Sequence, residues 1–180
     1  YAKAHFQLGS IYQNIGKLRL SNSHYKKSYD LKQDKKEIGL LSLIYKSINH
    51  LILYELDAAL SSIELIEKSF KSNLNSSENL LFKNHIVHTF KVVKFLENDI
   101  KHRRIDRNLP IIPHIGDSHC LSFAHKRITL SNETKIVKPV YIVGAKAWHF
   151  ANDVDNMFKS YIKKQIKKNI IGDQVLISFG

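Results

Sequence analysis

A chain of 180 residues is long enough to bury a core, as one large domain or two smaller ones. Its apolar fraction of 43% is ordinary for a globular protein, and no apolar run approaches the roughly 20 residues of a membrane helix, which excludes a helical span. Lysine and arginine outnumber aspartate and glutamate by 28 to 16, favouring anionic partners without naming one; the single cysteine, Cys120, excludes a disulfide framework and any multi-cysteine zinc module.

The chain opens on Tyr1 inside a helical pattern, without an initiating methionine, and reads as cropped, with a cytoplasmic location expected. The stretch "HFQLGSIYQNIGKLRLSNSHYKKSYDL" puts Leu8, Gly9 and Tyr12 on one helix and Tyr25, Ser28 and Tyr29 on the next. A small residue beside large ones lets two antiparallel helices pack closely. The pattern resembles a tetratricopeptide repeat, with His5 where that repeat often has tryptophan and Ser21 and Ser28 where it usually has alanine. Ile44 and Tyr45 repeat Ile11 and Tyr12 at a 33-residue offset. The following helix, "ELDAALSSIELIEKSF", spaces Ala58, Ala59, Ile63, Ile66 and Phe70 helically. The polar "KSNLNSSEN" then breaks the chain, and Ser76 or Ser77 caps a long helix through Val87, Phe90, Val93 and Ile100. The resemblance implies a protein-binding scaffold over residues 1–105. His85 and His88 lack a third ligand at a fitting spacing, so no metal site is expected, and no cofactor.

The run "KHRRIDR", residues 101–107, lacks the interleaved aromatics that would stack bases and reads as a solvated linker, so nucleic acid is not an expected partner. A boundary falls near residues 101–110, because all three prolines lie beyond it and the patterning changes. Beyond it, "PIIPHI" reads as a buried strand, "SHCLSFAHKR" as a helix, "PVYIVG" as a strand, "NDVDNMFKSYIKKQIKKN" as a helix and "QVLISFG" as a strand. In the second helix Val154, Phe158, Tyr161, Ile162 and Ile166 share a face, with Lys163, Lys164, Lys167 and Lys168 on the solvated back. This alternation predicts a three-layer α/β unit over residues 106–180 with a parallel sheet. Gly116, Asp117, Ser118, Gly144 and Gly180 then fall at carboxyl ends of strands, where α/β sheets bind ligands.

Three roles are open to Ser118 in that position: nucleophile, helix N-cap, or part of a phosphate cradle. Asp117 supports the turn through its side chain. Trp148 reads as core, Asn152 as a helix cap, and His114, His119, His125 and His149 as structural.

The "IGDSH" of residues 115–119, followed by "GAKAW" and "VLISFG", resembles the SGNH or GDSL-type hydrolase superfamily over about residues 110–180. The resemblance implies Ser118 as nucleophile, Gly144 as a backbone donor to the oxyanion hole and Gly180 as the opening of the third block. It implies an ester hydrolase or acyltransferase working through a serine acyl-enzyme on an acylated small molecule or carbohydrate. The chain departs from the pattern at His119, where leucine is common, and lacks the Asp-x-x-His block that carries the acid and base, so it resembles a fragment, the front half of such a site. The alternative is a non-catalytic tetratricopeptide-like interaction module.

Overall fold

The computed structural model describes residues 1–31, 36–73, 80–102, 106, 108–169 and 174–179. The chain divides into two compact units, Tyr1–Tyr12 with Lys17–Lys101, and Gln13–Gly16 with His102–Gly180. None of the described helices is long and apolar enough to cross a membrane.

Among the described residues the elements of the first unit are all helices: α1 (Ala2–Asn14, whose last two residues count with the second unit), α2 (Leu18–Asp30), α3 (Lys36–Leu53), α4 (Leu56–Asn73) and α5 (Leu80–Ile100). Gly9 is where α1 meets Tyr25 of α2. A Cβ at Gly9 would stand 2.6 Å from two carbons of the Tyr25 ring, and that ring is fully buried. Ser21 and Ser28 do more than fill the small positions expected of alanine. Ser21 Oγ donates to the Gly9 carbonyl at 2.7 Å and Ser28 Oγ to the Ala2 carbonyl at 2.9 Å, tying α2 to α1. On the facing helix Ser42 Oγ donates to Ser28 Oγ, and Asn49 Nδ2 to Ser21 Oγ and Asn22 Oδ1. The α2–α3 seam is thus polar, buried and hydrogen-bonded, which makes its register specific where an alanine seam would tolerate slippage.

The 33-residue correspondence carries over only in part. Ile44 is fully buried whereas Ile11 is 48% exposed; Tyr45 packs against Tyr25 at 5.9 Å whereas Tyr12 stacks on His24. In α4, Ala59, Ile63 and Ile66 are buried as their spacing predicts. In α5 the buried stripe is Ile86, Thr89, Val93, Leu96 and Ile100; the expected Val87 and Phe90 lie beside it, half-buried. Ser76 and Ser77 lie outside the described residues.

The second unit contains β1 (Ile111–Gly116), a 3₁₀ helix (Ser118–Phe123), β2 (Arg127–Leu130), β3 (Glu133–Tyr141), α6 (Trp148–Ala151), α7 (Met157–Asn169) and β4 (Leu176–Ser178). The sheet order is β2-β3-β1-β4, with β1 parallel to β3 and to β4, as the strand–helix alternation predicts. The sheet is nevertheless mixed, because β2 pairs antiparallel with β3. That hairpin was not legible: its turn is Ser131-Asn132, both at positive φ, and β2 is short and half-exposed, with little apolar signal. Pro113 is tolerated inside β1 because β4 begins only opposite His114, leaving the neighbouring position free of a partner that would need its missing N–H.

Three further expectations are corrected. The segment after β1 is a six-residue 3₁₀ helix, not an α-helix through Arg127; it ends at Phe123, where Ala124 turns extended at ψ 123° and His125 follows at φ 61°. The last helix starts at Met157, capped by Asn156, whose Oδ1 accepts from the N–H of Phe158 and of Lys159 at 3.0 Å. Asn152 instead ends α6, and Val154 is 74% exposed rather than on the apolar face. Phe158 and Ile162 do pack as expected, against Ile115, Ile142 and Ala145. Because side chains alternate along β1, His114 looks the other way and meets Phe123 of the 3₁₀ helix edge-on at 5.5 Å.

Candidate functional site

The central strand β1 has β3 on one side and β4 on the other, so the chain switches sides at β1. In open α/β sheets this switch point, at the carboxyl end, is where a crevice forms. Gly116, Asp117 and Ser118 occupy it.

Gly116 is required by packing. A Cβ there would collide with the carbonyl oxygen of Ser178, and would lie 2.9 Å from Ser178 Oγ and 3.1 Å from the Cys120 Cβ. Asp117 is the N-cap of the 3₁₀ helix, its Oδ1 accepting from the His119 N–H at 3.0 Å. The same oxygen meets His119 Nδ1 at 2.7 Å, and Oδ2 lies 3.8 Å from Lys146 Nζ. Capping therefore falls to Asp117, not Ser118. Ser118 is half-buried, and its Oγ has no hydrogen-bond partner among the described residues.

Gly144 follows β3, exposed and at φ +76°, a conformation that suits glycine. Two residues on, Lys146 brings this loop to Asp117, so the loops after β1 and β3 meet. Gly180 lies outside the described residues; Ser178 carries the end of β4 against Gly116. The six-residue 3₁₀ helix offers a weaker dipole than the α-helix expected after Ser118. Cys120 is unsuited to act as a nucleophile: it is fully buried, and burial, with Asp117 nearby, pushes its thiol pKa far up.

The histidines separate by geometry. His119 turns to Asp117. His149 Nδ1 accepts from the Lys146 N–H at 2.9 Å, which fixes the turn. His125 is buried between the 3₁₀ helix and β2. His114 Nε2 hydrogen-bonds Ser178 Oγ at 2.9 Å, across 64 residues of sequence, a pairing that depends on the β1–β4 register. Among the described residues no group of three or more His, Cys, Asp or Glu could hold a metal ion.

Burial holds the His114 imidazole below its ordinary pKa of 6.5. The unfolded chain then takes up the proton more readily, so the stability contributed by the neutral ring is complete above pH 6.5 and is lost as pH falls through the interval below it. Urea midpoints at pH 7.5 and 5.5 should differ more for the wild type than for His114→Gln. Equal differences would mean that other groups carry the dependence.

Comparison with protein-family models, with curated proteins and with solved structures found no match in any of the three.

Proposed function

We propose that residues 106–180 belong to an SGNH-type α/β domain that hydrolyses or transfers an ester-linked acyl group through an acyl-enzyme on Ser118, and that the tetratricopeptide-like helices of residues 1–105 bind a protein partner. The observation that carries this reading is the free hydroxyl of Ser118 at the switch point, on a turn set by Gly116 and capped by Asp117. Because Asp117 satisfies the helix terminus, Ser118 is left available for attack. Gly144, in the adjoining loop, is assigned as a backbone donor to the oxyanion, and Gly180 as the start of the third block. The family's acid and base sit in an Asp-x-x-His block that residues 106–180 do not contain, so neither role is assigned to a residue of this chain.

The alternative, a non-catalytic interaction module, is favoured by one specific observation: no proton acceptor contacts Ser118 Oγ among the described residues. A serine-directed fluorophosphonate with mass-spectrometric mapping separates the two. The protein expressed from its whole reading frame should be labelled at Ser118, and residues 1–180 alone slowly or not at all. Absence of label on Ser118 in the former would leave the module reading.

A further inference from the structure

The sole tryptophan, Trp148, was expected in the core, yet it is 63% exposed. It is also held in place. Its ring lies 3.7 Å from that of His149, whose other neighbour is Phe158 at 4.1 Å, and His149 Nδ1 takes the backbone N–H of Lys146. The indole and Lys146 therefore belong to one braced turn. From that turn the Lys146 ammonium, 52% exposed, reaches the edge of the Ser118 site at Asp117. The Asp117 carboxylate lies below the surface, with side chain 6% exposed, while His119 at 64% and Lys146 stand above it. The His119 imidazole, the Lys146 ammonium and the Trp148 indole are each largely exposed to solvent, the first two beside Asp117 and the third two residues along the turn from Lys146.

We infer that Trp148 and Lys146 form a subsite for a ring-bearing anionic small molecule, the indole stacking on the ring and the ammonium pairing with its negative charge. The inference rests on the Ser118 reading only in making that molecule the substrate; the binding stands apart from it. An aromatic face attracts a flat ring or the C–H face of a sugar, and bracing by His149 lowers the entropy lost on binding. The chain's net charge of +12 attracts the same class of ligand from a distance. An acidic saccharide and a nucleotide share this chemistry.

Trp148 supplies its own readout. Its emission is titrated, in the whole chain, with trigalacturonate, with uridine monophosphate and with neutral cellotriose. A saturable change is expected with at least one of the two anions, and which one responds names the source. Lys146→Gln should weaken that binding about tenfold or more, as loss of a charge-assisted contact does, with cellotriose far weaker than either anion. The response should persist in Ser118→Ala, so a failure of the nucleophile assignment leaves the subsite standing. No saturable change with either anion, equal binding of cellotriose, or full affinity in Lys146→Gln would overturn the inference.

Discussion

Gly116→Ala is expected to unfold the sheet-containing unit. The position has no unusual backbone requirement; its constraint is the space above its Cα. A methyl group there would collide with the carbonyl oxygen of Ser178, on the strand paired directly with it. A backbone atom in a paired strand cannot swing aside as a side chain can, so relief requires separating β4 from β1 or distorting the turn that carries Ser118. Overpacking in a well-packed core costs about 1 to 3 kcal/mol, and a clash with backbone belongs at or above the top of that range. Two comparisons make the mechanism specific. Ser178→Ala removes Oγ but keeps the carbonyl, so it should not rescue Gly116→Ala. Gly144→Ala places its methyl in open space and should cost only the left-handed backbone penalty, about 1 to 2 kcal/mol. Urea titrations followed by Trp148 emission report all three. Rescue by Ser178→Ala would move the clash to the side chain and refute this account.

The parts of the fold that were legible in the sequence are those fixed by long, local patterns. Helical periodicity through α1 to α5 and the apolar runs of β1, β3 and β4 each repeat a single physical constraint over many residues, and so announce themselves. The misread parts turn on one or two residues or on distant contacts. A six-residue 3₁₀ helix and an α-helix begin with the same cap and the same apolar spacing; what ends this one is the extended backbone of Ala124, followed by His125 at positive φ, which composition does not encode. The β2–β3 hairpin was hidden because Ser131-Asn132 is a weaker turn signal than Asn-Gly. Residue type alone places Trp148 in the core, whereas the turn braced by His149 leaves it exposed. At the candidate site, the Gly116-Asp117-Ser118 turn was legible because strand end, glycine and cap are contiguous. The His114–Ser178 and Lys146–Asp117 contacts were not, since each needs the order and register of strands far apart in the chain.

Ser118→Ala is expected to separate chemistry from folding. Asp117 supplies the cap through its carboxylate, and Ser118 Oγ holds no partner among the described residues, so removing that oxygen leaves no orphaned buried group. Stability should change by no more than about 0.5 kcal/mol, the range of a substitution that breaks no structural contact, and the thermal midpoint should barely move. A serine that merely capped the helix would behave differently, losing roughly 0.5 to 2 kcal/mol with no effect on any reaction. If Ser118 is the nucleophile, hydrolysis of a short-chain aryl ester by the protein from its whole reading frame should fall by about 10³-fold or more, because positioning and oxyanion donors alone leave only residual catalysis. Asp117→Asn provides the opposite pattern. It keeps the cap's acceptor oxygen but discharges the group shared by His119 and Lys146, so it should alter stability and salt response more than it alters the chemical step. Measuring both variants for melting and for kcat/KM places them on separate axes. Full activity in Ser118→Ala would remove the nucleophile from the turn altogether and leave Asp117 and Gly116 as the architecture of a binding surface.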